Sequence, residues 1–145
     1  MTSPPAVRVA NHLHDWSTGP SGKCFLLDTT LRTSNEATAY CATLNAQLPS
    51  IHSLDENNFL YNMMTDTFNG NSDAFIGTVN DNSWADGSTW DYTKWKSGEP
   101  NNNSNPGGGT QDCGVLRKHS DSGNNNVWLD VDCHLSKKST FCMKG

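Results

Sequence analysis

The sequence predicts an α+β domain, and three observations carry that prediction. Two segments with helical spacing come early in the chain, short apolar runs bounded by turn residues precede and follow them, and no internal repeat is present. Five cysteines, Cys24, Cys41, Cys113, Cys133 and Cys142, add the expectation that disulfides support a core that a hydrophobic content of 34% makes thin. A length of 145 residues suits one domain. The expected division is a lead-in over residues 1–15, which shows no periodicity and contains Pro4 and Pro5, and then the domain over 16–145.

Taken in order, Cys24-Phe25-Leu26-Leu27 lies between Gly22 and Asp28 and reads as a strand. A helix follows, capped by Ser34, with Glu36 in its first turn. Ala37, Tyr40, Cys41 and Leu44 recur at helical spacing, so Cys41 faces the core. Leu48-Pro49-Ser50-Ile51 ends that helix in a short extended segment. Ser53 with Glu56 three residues on forms a capping box for a second helix, whose buried face is expected from Leu54, Phe59, Leu60 and Met63 or Met64. Ala74-Phe75-Ile76-Gly77 reads as a core strand. From about Asn80 to Asn126 the chain turns polar and loop-rich, and so long a loop inside a compact domain points to function. Val127-Trp128-Leu129-Asp130-Val131 and Ser139-Thr140-Phe141-Cys142 are the closing strands.

Composition excludes several classes. The formal net charge is −5 and the ten Lys and Arg are scattered along the sequence, so nucleic acid is not an expected partner. No apolar run approaches the ~20 residues of a membrane helix, so no membrane insertion is expected. The cysteine content suits an oxidising compartment, and the expected location is secreted or extracellular, with any signal peptide already removed or the domain cut from a longer chain. Without a C-x-x-C pair or an H-x-x-x-H cluster, the cysteines read as disulfides and not as a metal site. Any four of them can pair in three ways.

From about Trp16 to Cys142 the chain resembles the C-type lectin-like domain. The residues that carry the resemblance, in order, are the helix with Cys41, Leu48-Pro49-Ser50-Ile51-His52-Ser53, Phe75-Ile76-Gly77, Trp84-Ala85-Asp86-Gly87-Ser88, Asp91-Tyr92-Thr93-Lys94-Trp95, Gly98-Glu99-Pro100-Asn101-Asn102, Asp112-Cys113, Trp128-Leu129-Asp130 and Phe141-Cys142. The resemblance implies a double-loop fold with two helices, small antiparallel sheets, paired amino- and carboxy-terminal strands and a long binding loop. It also implies the disulfides Cys41–Cys142 and Cys113–Cys133. Cys24 is left unpaired, because members with an extra amino-terminal disulfide have its partner about ten residues upstream, where this chain has Asn11-His12-Leu13-His14.

Calcium is a hard cation that takes about six to eight oxygens, so loop carboxylates and amide carbonyls are its natural ligands. By resemblance, Glu99, Asn101, Gln111 and Asp130 form both the Ca2+ site and the carbohydrate site. A cis Pro100 turns the Glu99 and Asn101 oxygens the same way, and the order Glu then Asn implies mannose, fucose or N-acetylglucosamine. Two departures weaken this set. Gln111 stands where sugar-binding members usually have Glu, and Leu129 stands where they have Asn, which removes a calcium oxygen and a donor to the sugar. Asp112 or Asp132 could compensate, Asp132 if it shares a strand face with Asp130. The family's accessory calcium site would fall to Asn80, Asp81, Asn102 and Asp112, too weak a set for occupancy to be expected.

The remaining features carry plainer expectations. Asn102-Asn103-Ser104 is a glycosylation sequon inside the binding loop, and Pro106-Gly107-Gly108-Gly109 is a flexible insert. Of the five tryptophans, Trp95 and Trp128 match core positions, whereas Trp90 is the candidate for exposure. The five histidines share no ligand spacing. The sequence therefore favours a calcium-dependent lectin for glycans with mannose-type terminal sugars, in an assembly that allows a homo-oligomer. The alternative is a calcium-independent module with a degenerate metal site that binds a protein ligand or, less expectedly, ice. No enzyme is expected. A glycosidase using Glu99 with Asp112 or Asp130 would need one carboxyl of raised pKa in an apolar pocket, and these residues sit in an Asn-rich loop.

Overall fold

The structure, a computed structural model, describes residues 16–100 and 113–145. A short strand β1 (Ser17–Thr18) leads into β2 (Cys24–Arg32), then α1 (Ser34–Thr43), α2 (Leu54–Thr67) and β3 (Ser72–Phe75). A two-stranded hairpin, β4 (Thr78–Val79) and β5 (Ser83–Trp84), precedes β6 (Cys113–Lys118), β7 (Val127–Val131) and β8 (Lys138–Lys144). The main sheet has the order β1-β2-β8-β3-β6-β7, so the first long strand and the last one lie side by side, antiparallel, with Phe25 opposite Met143. The fold class is α+β, as expected, but in place of small antiparallel sheets the main sheet is six-stranded and mixed, because β3 runs parallel to β8. Among the described residues no helix is long and apolar enough to cross a membrane.

Period-two alternation on these strands explains why the sheet is covered on both faces. Phe25, Ala74, Leu116, Phe141 and Met143 point to one face and meet Leu60 and Met64 of α2 together with Ile51, Trp84 and Trp128. Their neighbours Leu26, Phe75, Val115 and Cys142 point to the other and meet Ala37 and Cys41 of α1. Both implied disulfides are formed. Cys41–Cys142 ties α1 to the last strand across a separation of 101 residues, and Cys113–Cys133 ties the start of β6 to the turn after β7. Cys24 is a free, half-buried thiol at the start of β2.

Several expectations need correction. The N-cap of α1 is Thr33, not Ser34: the Thr33 hydroxyl accepts from the Glu36 amide at 3.4 Å and the Glu36 carboxylate accepts from the Thr33 amide at 2.9 Å, a complete capping box. Ser53 does cap α2, but the Glu56 carboxylate accepts from the amide of His52 and not that of Ser53, so this box is shifted by one residue. Leu54 is half exposed instead of buried, whereas the polar Glu56 and Asn57 are buried. The first strand continues past Asp28 to Arg32, with an irregularity in its pairing to β8 between those two residues. The stretch expected to be loop from Asn80 to Asn126 contains β6, a central strand. Gly114 sits there because a Cβ would stand 2.6 Å from the Thr78 hydroxyl, which accepts from the Gly114 amide. Trp90 is only half-buried but packs on Trp84 at 4.7 Å between rings. The cations are also less scattered than the sequence suggests, since Arg117, Lys118, Lys137 and Lys138 line one groove.

Candidate functional site

Trp128 is the anchor of the site. It is fully buried, its indole N–H donates to Asn57 Oδ1 at 2.7 Å, and Trp84, Trp90, Tyr92 and Trp95 pack edge-on around it with centroids 5.5–6.3 Å away. Asn57 in turn donates to Asn126 Oδ1 at 2.8 Å, which joins α2 to the turn before β7. The segment from Lys94 to Lys96 runs beside Trp128 in a parallel bridge, with Trp128 donating to the Lys94 carbonyl at 2.8 Å and Lys96 donating to the Trp128 carbonyl at 2.9 Å. A turn then brings Glu99 back onto the Lys96 carbonyl at 2.8 Å. Gly98 adopts φ +86° in that turn, a conformation that glycine takes at little cost. The peptide bond between Glu99 and Pro100 is cis.

The result is that Glu99 lies against Asp130. The Asp130 amide is 3.5 Å from Glu99 Oε1, and the Asp130 side chain is buried on the same face of β7 as Trp128. Burial pushes the Glu99 carboxyl up to about 7, and the hydrogen bond and negative charge of Asp130 push it the same way. Two carboxyl groups in such contact cannot both be ionised cheaply without a proton or a cation between them. That is an arrangement into which calcium fits, since its preferred ligands are carboxylate oxygens.

Of the four expected ligands, the structure brings together Glu99 and Asp130, while Asn101 and Gln111 lie outside the described residues, as do Asn102, Asp112 and the Pro106–Gly109 insert. Leu129 points away from the pair and packs with Val131 and Cys113 against the α1 side of the sheet, which accounts for an apolar residue there. Asp132 does not share the strand with Asp130. It follows β7, and its Oδ1 accepts from the amides of His134 and Leu135 at 2.7 and 2.8 Å. Asn80 and Asp81, named for the accessory site, form the left-handed turn between β4 and β5 with φ of 52° and 62°. Among the described residues no group of three or more His, Cys, Asp or Glu could hold a metal.

A second constellation has the connectivity of a hydrolytic triad. His52 Nδ1 is 2.7 Å from Asp91 Oδ1, and its Nε2 is 3.1 Å from Ser50 Oγ and 3.0 Å from Ser88 Oγ. Both serine hydroxyls donate to Asp86, each at 2.5 Å, so neither has a proton to give His52 and neither is activated as a nucleophile. The cluster instead fastens the start of α2 to the segment after β5. Asn57 and the groove cations were missed by sequence reasoning. An Asn in place of an apolar residue on the buried face of α2 was the available sign of the first.

The Glu99 proton affinity has a consequence for stability. Because the folded value near 7 lies above the ordinary 4.5, this group's contribution is fully present below about pH 4.5 and is lost as pH rises through about 7. Thermal unfolding in chelator should therefore show a Glu99-dependent decline across that window, absent from Glu99→Gln. Discounted for solvent screening, the effect is about 1 kcal/mol.

Comparison with known proteins places the sequence and the fold. The family model described as the lectin C-type domain matches residues 30–144. Ladderlectin of Oncorhynchus mykiss is 35% identical over 127 residues, covering 84% of this chain and 63% of that protein, and a lectin of Pleurodeles waltl is 42% identical over 88 residues, covering 54% and 47%. The chain thus spans less than two thirds of the length of these curated relatives. The C-type lectin CEL-I of Cucumaria echinata superimposes with a TM-score of 0.74 at 28% identity, over 89% of this chain and 94% of that one. A calcium-independent type II antifreeze protein shares the fold with a TM-score of 0.70 at 24% identity, over 90% and 91%. The chain belongs to the C-type lectin domain family.

Proposed function

We propose that this domain is a calcium-dependent carbohydrate-binding lectin for mannose-, fucose- or N-acetylglucosamine-type glycans, acting outside the cell. The observation that carries the reading is the Glu99–Asp130 pair, two apposed carboxyl groups at the Glu-Pro-Asn motif, one of them held near pH 7. Glu99 and Asp130 would hold the ion, joined by Asn101 and Gln111. Calcium would supply a positive centre to which two adjacent sugar hydroxyls coordinate. The protein's own part is to orient Glu99 through the Trp128 bridge, to accept hydroxyl protons on its carboxylate, and to donate from an amide nitrogen of Asn101. A glycan array read with calcium and again with chelator tests this. Mannose-type binding that vanishes in chelator supports it, whereas binding unaffected by chelator contradicts it.

Leu129 favours a second reading, a calcium-independent module for a protein ligand, because it contributes packing where a ligand oxygen is expected. Leu129→Asn separates the two. On the lectin reading it raises calcium affinity, by about tenfold for one added oxygen ligand, while costing about 1–3 kcal/mol of stability through lost packing. Calorimetric titration beside thermal unfolding measures both. Contrary to the expectation from the Asn-rich loop, the Glu99 carboxyl is raised, but a glycosidase pair of Glu99 with Asp130 is disfavoured because the two groups are in hydrogen-bond contact, closer than the ~5 Å that separates catalytic carboxyls in retaining enzymes, and Asp112 lies outside the described residues.

A further inference from the structure

At the far end of β6 from the Glu99–Asp130 pair lies an open groove of about 520 Å³, the size of a small-ligand site. Asp130 pairs with Gly114 and the groove begins at Arg117 and Lys118, so the two sites are on the order of 10 Å apart along the strand. Arg117, Lys118, Lys137 and Lys138 line it, with His119, against the single carboxylate of Asp73. The chain as a whole carries a net charge of −5, so this concentration of cations stands against the average.

The cations are held in place. The Asp73 side chain, 7% exposed, accepts from Arg117 Nε and Nη2 at 2.8 and 2.9 Å and from Lys138 Nζ at 3.0 Å. Burial opposes ionisation of Asp73, but the Arg117 hydrogen bonds and the Lys138 charge outweigh it and hold its carboxyl below the usual range. Asp73 therefore neutralises one of the two cations and orients both. Lys118 donates to the Gly70 carbonyl at 3.2 Å, and Lys137 is exposed on the rim, where it also feels Glu36.

Spacing selects the ligand. Lys118 is opposite Ser72 on one side of β3, and Lys138 begins the strand on its other side, so the two flank β3 at about two strand spacings, roughly 10 Å. Lys118 Nζ is held on the Gly70 carbonyl and Lys138 Nζ on Asp73, so the two charges are anchored at separate points of the groove, which suits a ligand with more than one anionic group. Two singly charged groups carried along one stiff, hydroxylated chain fit that arrangement. Asn71, Ser72 and Thr29 supply polar partners for hydroxyls, and the half-buried Phe68 supplies an aromatic wall for a pyranose face.

We propose that this groove is a second, calcium-independent glycan site that binds sulfated oligosaccharides. The test is fluorescence anisotropy of the whole protein with a labelled heparin-derived tetrasaccharide, in chelator and about 0.1 M salt. Binding is expected, weakened at least about tenfold by Lys118→Gln/Lys137→Gln and severalfold by the rim substitution Lys137→Gln alone. The equally charged control Lys23→Gln/Lys144→Gln should bind like the wild type. Failure of the wild type to bind, equal binding of the desulfated tetrasaccharide, or equal loss in the control would each overturn the proposal. So would equally tight binding of an oligonucleotide of the same charge, which would mark a nonselective cationic surface.

Discussion

Trp128→Ala is expected to lower the unfolding free energy by about 3–5 kcal/mol, the range for truncating a large buried aromatic. The cost here has three parts. The indole has no exposed surface, its removal opens a space that Trp84, Trp90, Tyr92 and Trp95 border, and Asn57 Oδ1 loses its buried donor. Trp90, Tyr92 and Trp95 belong to the segment that ends at Glu99, so the same substitution should loosen the Glu99–Asp130 apposition and with it the proposed calcium site. Trp128→Phe keeps most of the ring contact but leaves Asn57 without its donor, and about 1–3 kcal/mol should be lost. Urea unfolding of both variants checks the order. A Trp128→Ala protein as stable as the wild type would show that the aromatic cluster does not anchor the site.

Removal of the Cys41–Cys142 bridge by Cys41→Ala/Cys142→Ala should cost about 4–5 kcal/mol, because the bond closes a separation of 101 residues and restricts the unfolded chain accordingly. Cys113→Ala/Cys133→Ala, across 20 residues, should cost about 3 kcal/mol on the same chain-entropy argument. The difference between the pairs matters more than either value. A larger loss from the short loop would mean that local packing, and not chain entropy, dominates. Both cysteines of the long bridge are fully buried, so some of its loss will be packing in any case.

These expectations rest on features that differed in how far the sequence displayed them. Helical spacing puts Cys41 inside, while the resemblance supplied the core position of Trp128 and the pairing of the strand around Phe141 and Cys142 with β2. β6 was hidden because Gly114 interrupts its apolar run and polar sequence surrounds it. The reason for Gly114 is the close approach of Thr78, a contact made by a different strand. Thr33 and Ser34 are both competent caps, and only the path of the chain out of β2 selects Thr33. The basic groove was invisible because its two cationic pairs are far apart in sequence and meet only where β6 and β8 flank β3.

The site was legible as a motif but not as a geometry. Glu99-Pro100-Asn101 named the residues, yet nothing in that tripeptide says that Glu99 will face Asp130, which follows from the bridge between Trp95 and Trp128. Of the two departures, Leu129 has a packing reason on the opposite side of the sheet, while Gln111 lies outside the described residues; Asp132, offered as a substitute ligand, is committed to the turn that follows β7.

The central claim is that the Glu99–Asp130 pair holds a calcium ion that in turn holds sugar. Calorimetric titration of the chelated protein with calcium, repeated with methyl mannoside present, tests it most directly. Saturable binding at millimolar calcium or tighter is expected, with a heat of sugar binding that appears only with calcium and loss of both in Glu99→Gln. No calcium heat and no calcium-dependent shift in thermal unfolding would contradict it and leave the protein-binding module as the reading of this domain.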